Sequence, residues 1–389
     1  MLQASPLHLY VHIPFCIHKC AYCDFNSHVR PDPPWDEYRQ ALLNELEHWA
    51  KQPQFSKRRI DTIFFGGGTP SLAPAQLIAE VLQMTGELFD LHKQAEISLE
   101  ANPGTVEAGR FAAYRAAGIN RLSIGVQSFN DDELQWLERI HNSQQAMDAF
   151  AIARSAGFDN VSLDLMYGLP QQQLSDWLQN LDTAIAMAPE HLSCYQLTVE
   201  PHTELALRHQ RLPLLLPEDD EALDFLRQTR GHLAENGYQA YEISNFARPG
   251  RHCRHNDSYW LYDDYIGIGA GAAGKWDTAQ GGITRYSNSR SPESYIRSTL
   301  SGGDAAKSDE TLALKKAAAE AVWLALRRRE GVEQAHFKRR FGQDVSAFFA
   351  KQLAPWEKSG HLIITPEYIQ LSDSGLGMAD SIAVSVLTG

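Results

Sequence analysis

A chain of 389 residues with 43% hydrophobic content can bury a large core and predicts two or three domains, which excludes a disordered or fibrous protein. Its formal net charge of −13 argues against nucleic acid as a partner, a local basic patch aside, because phosphate affinity comes from clustered Lys and Arg. Every apolar run is broken by charge or glycine well short of the ~18 residues that span a bilayer, so no transmembrane helix is predicted. The start, Met1-Leu2-Gln3-Ala4-Ser5-Pro6, lacks the basic and long apolar segments of a secretory signal, and a cytoplasmic location is expected.

From Leu7 to about Glu200, short β-branched runs alternate with amphipathic stretches, the pattern of βα units around a parallel sheet. Strands are expected over Leu9–Ile13, Thr62–Phe65, Glu96–Glu100, Arg121–Val126, Val161–Met166 and Leu192–Leu197. Between the first two, Trp35, Tyr38, Leu42, Leu46 and Trp49 recur at three- and four-residue steps and predict a helix with one buried stripe. Gly118 and Gly157 follow alanine-rich helices and precede strands, as C-cap glycines do. Six units fall short of the eight of a closed barrel, so the expected α/β fold is a partial (β/α)6 barrel, with its active face at the strand C-termini. His12-Ile13-Pro14, Gly66-Gly67-Gly68-Thr69-Pro70, Glu100-Ala101-Asn102-Pro103, Gln127-Ser128 and Gly168-Leu169-Pro170 all fall at or just past those ends, pointing to a single site.

The stretch Arg211–Asp220 reads as a proline-rich, acidic connection before a helix over Glu221–Glu235, and further strands are expected at Ala240–Ile243, Tyr265–Ile268 and Ile283–Tyr286. From about Glu310 helices dominate, ending in a hairpin of Leu362–Thr365 and Tyr368–Leu371 around Pro366-Glu367, a winged-helix-like pattern. The expected division is a partial-barrel core over 1–210, a peripheral α/β extension over 211–305 and a helical C-terminal domain over 306–389.

Five cysteines are too few and too unevenly spaced for a disulfide framework, but Cys16, Cys20 and Cys23 form a CxxxCxxC motif after the first strand. Three thiolates can bind three irons of a cubane and leave the fourth iron open to a ligand. A zinc site is the alternative, with His12 or His18 as fourth ligand.

Together, Tyr10-Val-His-Ile-Pro-Phe-Cys16, the cysteine motif, Gly66-Gly-Gly-Thr-Pro70, Ile124-Gly-Val-Gln-Ser-Phe129 and Asp164-Leu-Met-Tyr-Gly-Leu-Pro170 resemble one radical S-adenosylmethionine (SAM) family. It is the branch of oxygen-independent coproporphyrinogen III dehydrogenases and their haem-chaperone relatives. The resemblance implies a [4Fe–4S] cluster on Cys16, Cys20 and Cys23 that cleaves SAM to methionine and a 5′-deoxyadenosyl radical. By motif, Tyr10, Gly67, Gly68, Thr69, Glu100, Gln127, Arg139 and Asp164 would contact SAM, with Tyr22 beside it. The residue chemistry agrees. Glycines permit close backbone approach, carboxylates accept from ribose hydroxyls, and arginine pairs with a carboxylate. Taken singly, the glycine run also suits a tight turn, and Arg139 a helix-surface ion pair.

Gly269-Ala-Gly271-Ala-Ala-Gly274 matches GxGxxG, but the turn-like Lys275–Gly282 follows in place of a helix, and Ser294 lies near where the Rossmann acid belongs. Close backbone packing is the expected role, and the resemblance implies that Ala273 touches SAM. Within the family, the dehydrogenase branch carries a further cysteine two residues after the third, where this chain has Phe25, and an N-terminal extension that is not expected here, since the first strand is read from about residue 7. Both departures point to the haem-chaperone branch, as does Arg254-His255-Asn256-Asp257-Ser258-Tyr259-Trp260, whose HNxxYW pattern is linked to haem there. His255, Asn256 and Tyr259 are thus candidate haem-binding residues, with Cys253 or His252 as alternative axial ligands and Cys194 read as core. The implied partners are haem-accepting apoproteins, soluble or membrane-bound. A homodimer is open, and Arg327-Arg-Arg329 with Lys338-Arg-Arg340 reads either as a solvated helix face or as a contact with an anionic membrane surface, haem propionates or an acidic partner.

Overall fold

The six expected strands lie side by side in chain order: β1 (Leu7–Ile13), β2 (Arg59–Gly67), β3 (Asp90–Ala101), β4 (Arg121–Gln127), β5 (Val161–Tyr167) and β6 (His191–Gln196). All adjacent pairs are parallel. The computed structural model describes residues 6–105, 108–278, 282–303 and 305–388, so most of the N-terminal segment read as lacking a secretory signal, residues 1–5, lies outside the described residues. Strand period two divides each strand between two environments. Leu9, Val11, Ile63, Phe65, Leu122, Ile124, Leu163 and Leu192 are fully buried in the apolar core that the helices cover. The alternate positions, His8, Thr62, Ser98, Arg121, Ser123, Ser162 and His191, are buried polar residues on the barrel's inner face. Helix α1 (Trp35–Ala50) coincides with its expected span and buries Tyr38, Leu42, Leu46 and Trp49. Gly157, at φ +87°, caps its helix as expected, with the Phe158 N–H bonded to the Ala153 carbonyl at 3.1 Å.

The sheet continues past both edges of this unit. Short strands β7 (Gln239–Ala240) and β8 (Asn245–Ala247) extend it antiparallel beyond β6. Beyond β1 come β9 (Asp264–Ile268), parallel to it, and then β10 (Ala273–Asp277), β11 (Ile283–Asn288) and β12 (Ala306–Leu312), all antiparallel. The resulting order is β12-β11-β10-β9-β1-β2-β3-β4-β5-β6-β8-β7. The barrel therefore has a seventh parallel strand, which strand-like patterning alone did not place. The single strand expected over Ala240–Ile243 is instead two, because the Glu242 carboxylate accepts from Ser244 N–H at 2.8 Å and Asn245 Nδ2 at 2.6 Å and turns the chain between them. The turn expected from Lys275 is strand through Asp277, and 279–281 lie outside the described residues. A short helix, Glu204–Arg211, precedes the proline-rich connection.

One carboxylate ties α1 to this added half. Glu45 is 3% exposed and accepts from Trp49 Nε1 (3.3 Å), Gly269 N–H (2.9 Å), Asn288 Nδ2 (2.7 Å) and Tyr295 Oη (2.6 Å). Burial pushes its pKa up to about 7 against the opposing pull of these donors.

The C-terminal helices Leu314–Leu326, Gln334–Phe341, Val345–Lys358 and Ala379–Thr388 pack around a second apolar core that includes Val322, Phe337, Phe349 and Ile382. Strands Leu362–Ile364 and Tyr368–Leu371 form the expected hairpin, with Val332–Glu333 as a third strand. Half of the basic cluster is spent on contacts inside the protein. Arg328 pairs with Asp257 at 2.7 Å and Arg340 with Asp277 at 2.5 Å, while Arg327 lies over the Trp260 ring at 4.8 Å. Lys338 and Arg339 pair with Asp344 and Glu333. Arg327, Arg328 and Arg340 act as struts to the barrel, while Arg329, Lys338 and Arg339 are exposed. Among the described residues no helix is long and apolar enough to cross a membrane.

Replacing Glu45 by Ala strands its buried donors and should cost on the order of 3 kcal/mol of stability. Urea unfolding should read a clearly lowered midpoint for Glu45→Ala and a smaller change for Glu45→Gln. A midpoint equal to that of the native chain would contradict the clasp.

Candidate functional site

Parallel pairing of β1 with β2 runs to the ends of both strands, where Ile13 stands in register with Gly67. It then continues into the loops. Gly68 N–H donates to the Ile13 carbonyl at 2.8 Å, and Thr69 N–H to the Phe15 carbonyl at 2.9 Å. The cysteine loop is thereby laid directly on the glycine turn. A Cβ at residue 68 would sit 2.9 Å from both Cys16 Sγ and the Phe15 oxygen. Gly67 has φ +118°, a left-handed conformation suited to glycine, and a Cβ there would lie 2.6 Å from the His12 ring. The glycines thus make room for the protein's own cysteine and histidine, a reason beyond the ligand approach expected from sequence.

The thiols face donors. Thr69 Oγ1 donates to Cys16 Sγ at 3.4 Å, Arg139 Nη1 to Cys20 Sγ at 3.6 Å, and Ser27 Oγ lies 3.9 Å from Cys23 Sγ. Burial pushes the Cys16 and Cys23 thiols up. A bound metal reverses that by deprotonating its thiol ligands, and the hydroxyl and guanidinium donors suit the sulfur charge that results. The residues fit a cluster in this respect. The imidazole proposed as a zinc ligand is already engaged: His12 Nδ1 bonds Tyr10 Oη at 3.0 Å and Nε2 the Asn26 carbonyl at 2.9 Å. His18 lies 3.6 Å from the Glu138 carboxylate with its side chain 43% exposed. Among the described residues, no three Cys, His, Asp or Glu side chains converge as the shell of one ion would.

All three cysteines open onto one cavity of about 580 Å³ inside the barrel, and so do Tyr10, Tyr22, Gly67, Gly68, Thr69, Glu100, Gln127, Arg139, Asp164, His255, Asn256 and Tyr259. Ala273 does not. It lines an adjoining cavity of about 490 Å³ that shares Tyr10, Phe25, Gly67, Glu100 and Tyr259 with the first. Glu100 Oε2 accepts from Gly67 N–H at 3.0 Å, and burial together with the Asp164 charge pushes the Glu100 pKa up to about 8. Asp164 accepts from Ser123 at 2.9 Å and Ser162 at 3.1 Å. Gln127 takes a left-handed φ of +69° at an irregularity in the β4–β5 ladder. Backbone strain of this kind in a non-glycine residue concentrates at functional sites. Arg139 is on the loop after helix Asp131–Trp136, not on a helix surface, and among the described residues it has no carboxylate partner. Its guanidinium donates to the Gly125 carbonyl at 2.9 Å and reaches Tyr22 Oη at 3.5 Å.

The HNxxYW segment forms the helix Arg254–Trp260, which packs against β2. His255 is fully buried, with Nδ1 bonded to Thr62 Oγ1 at 2.7 Å and Nε2 to Tyr259 Oη at 2.9 Å. Thr62 bonds in turn to His8 Nδ1 at 2.8 Å. In this conformation neither ring nitrogen of His255 is free for iron, so ligation requires the imidazole to give up a partner. Cys253 is fully buried, and burial pushes its thiol up to about 12. His252 is half-buried and stacked on Tyr241 at 4.3 Å. Trp260 faces Arg327 of the C-terminal helices, so the two aromatic residues of the motif do not form one stacking surface. Cys194 lies in the core, as expected.

The sequence analysis did not single out Arg121, Ser123, Gly125, Met166 and Tyr195, which also line the cavity. The available signal was period two: Arg121, Ser123, Gly125 and Gln127 alternate with apolar residues along β4. The GxGxxG glycines, by contrast, serve packing as expected. A Cβ at Gly269, Gly271 or Gly274 would lie within 2.5 Å of the His12 carbonyl oxygen, the Asn26 amide or the Tyr286 ring, respectively.

The Radical SAM superfamily model matches residues 10–184, and the HemN C-terminal domain model matches residues 312–376. The chain is 46% identical over 300 residues to the Heme chaperone HemW of Haemophilus influenzae, covering 76% of this chain and 77% of the relative. It is 34% identical over 387 residues to the mitochondrial radical S-adenosyl methionine domain-containing protein 1 of Bos taurus, covering 98% and 87%. The Bacillus subtilis Heme chaperone HemW matches at 33% identity over 94% of this chain and 95% of its own length. Coproporphyrinogen III oxidase (HemN) from Escherichia coli, a radical SAM enzyme, superposes with a TM-score of 0.83 and 27% identity over 99% of this chain and 91% of that one. The barrel, the cysteine loop and the C-terminal domain are therefore those of the HemW/HemN branch of the radical SAM superfamily, to which this chain belongs.

Proposed function

We propose that this chain is a cytoplasmic haem chaperone on a radical-SAM scaffold, one that binds haem and delivers it to apo-haemoproteins. Cys16, Cys20 and Cys23 hold a [4Fe–4S] cluster in this reading, with SAM beside it in the cavity of about 580 Å³ that all three cysteines line. The observation that carries the reading is Phe25. It stands where the dehydrogenase branch has its further cysteine, is 59% exposed and borders both cavities. The relatives named haem chaperones support the same assignment.

When bound, the reduced cluster supplies the electron for cleaving SAM. The chain's own residues bind and orient. Glu100 and Asp164 accept from ligand hydroxyls, Gln127 is aimed inward by its left-handed backbone, and Thr69 and Arg139 donate to the cysteine sulfurs. Haem ligation by His255 is coupled to release of its Tyr259 hydrogen bond. A second reading, a coproporphyrinogen III dehydrogenase, is favoured by the fold shared with HemN over nearly the full chain.

Changing Cys16, Cys20 or Cys23 to Ala should each abolish cluster assembly, whereas Cys194→Ala should keep about four irons with matching acid-labile sulfide after anaerobic reconstitution. Stoichiometric zinc without sulfide would falsify the cluster assignment.

With SAM and a strong reductant, the reconstituted chain should form no protoporphyrinogen from coproporphyrinogen III, yet bind haem in a separate titration. Tyr259→Phe, which frees Nε2 of His255, should tighten haem binding severalfold, and His255→Ala should change the haem absorption spectrum. Decarboxylation by the native chain would establish the dehydrogenase reading instead, while an unchanged spectrum in His255→Ala would move the ligand to His252 or Cys253.

A further inference from the structure

Arg121 opens β4 on the inner face of the barrel and borders the cavity. It is 1% exposed, among the largest fully buried side chains of the chain. Its Nε is buried without a hydrogen-bond partner, and among the described residues no acceptor is bonded to its guanidinium and no carboxylate lies within ion-pair distance. The surrounding acids are committed elsewhere. Glu96 accepts from the N–H groups of Arg254 and His255, both at 3.0 Å, and Asp164 from Ser123 and Ser162. Across the ladder, Ser98 stands in register with Arg121 and likewise has a buried hydroxyl with no partner.

A guanidinium stays protonated in a protein, so its donors need an acceptor when they leave water. Glu96 and Asp164 lie near enough to favour its charge, but neither accepts a hydrogen bond from it, which leaves its donors without an acceptor. We propose that Arg121 is the receptor for a carboxylate carried by the organic ligand of this cavity, to which it donates a bidentate pair of hydrogen bonds. The inference rests on the reading that the cavity serves SAM and haem, which offer two sources of that group, the methionyl carboxylate and a haem propionate. By register Arg121 lies level with Ser98, Phe64 and Tyr10, three positions short of Ile13, so the guanidinium sits at mid-barrel below the cysteine loop. A methionyl carboxylate held at an open iron is already engaged there, so the propionate is the favoured source.

The test titrates the reconstituted full-length chain and its Arg121→Met and Arg121→Lys variants with haem, haem dimethyl ester, SAM and methylthioadenosine. Arg121→Met should weaken haem binding at least tenfold, with partial recovery in Arg121→Lys, and leave the ester and both adenosyl ligands unchanged. Haem and haem dimethyl ester are titrated on the same preparation of each variant, which separates loss of the attraction to Glu96 and Asp164 from loss of the carboxylate contact. A tenfold loss for SAM but not for methylthioadenosine would uphold the receptor and assign it the methionyl carboxylate. If the native chain binds no haem, the carrier reading falls, and the SAM pair still decides Arg121. Unchanged affinity for haem and SAM, or an equal loss for haem and its dimethyl ester without a carboxylate-specific loss, overturns the proposal. Should the Met variant not fold, the Lys variant carries the same comparison, since it keeps the charge and loses the planar fork.

Discussion

The arrangement of this protein depends on two strands that go on pairing after they have ended. The hydrogen bonds from Gly68 to Ile13 and from Thr69 to Phe15 carry the β1–β2 ladder into the loops. They lay a cysteine-bearing segment against a turn with no Cβ to hold it off. One methyl group at residue 68 would meet Cys16 Sγ at 2.9 Å and push the loop away. From this contact follow the Thr69 hydroxyl facing Cys16, the Gly67 N–H facing Glu100, and the opening of the thiols onto the barrel interior.

The barrel's other half is held to the first by polar contacts buried in an apolar core. Glu45 binds the Gly269 backbone, Asn288 and Tyr295, the glycines at 269 and 271 let that half approach His12 and Asn26, and Gly274 leaves room within it for the Tyr286 ring. Buried carboxylates are costly unless their lone pairs are filled, and Glu45 is filled from three elements beyond its own helix. The C-terminal domain is attached by a related device, with Arg328 and Arg340 reaching to Asp257 and Asp277. Arg328 meets the HNxxYW helix that also carries His255 and Tyr259, so the domain bears directly on the wall of the cavity.

Much of this was legible in the sequence because two periods carry it. Alternation along the six strands and the stripe of α1 are local signals, and the structure reproduces them within a few residues. The strand-end motifs were legible because glycine, proline and carboxylate are conspicuous after apolar runs. What escaped is non-local. The segment Asp264–Ile268 was visible as a strand, but its pairing with β1 joins residues about 250 positions apart, and nothing in its own composition names the partner. The break at Glu242 comes from a side chain capping its neighbours, which competes with extended structure without altering the apolar pattern. His255 read as an available imidazole because sequence cannot reveal that Thr62 and Tyr259 occupy both ring nitrogens. Arg121 was passed over as the edge of an apolar strand, although its alternation with Ser123 and Gln127 placed it on the inner face.

The central claim is that three thiolates of one loop leave a cluster iron open toward the cavity, where SAM binds it. The most direct measurement is electron–nuclear double resonance on the reduced, reconstituted chain with SAM labelled at its amino nitrogen and carboxylate oxygens. The account predicts hyperfine coupling from both labels, lost when Cys20 is replaced. A reduced cluster signal that neither changes on adding SAM nor couples to either label would contradict it.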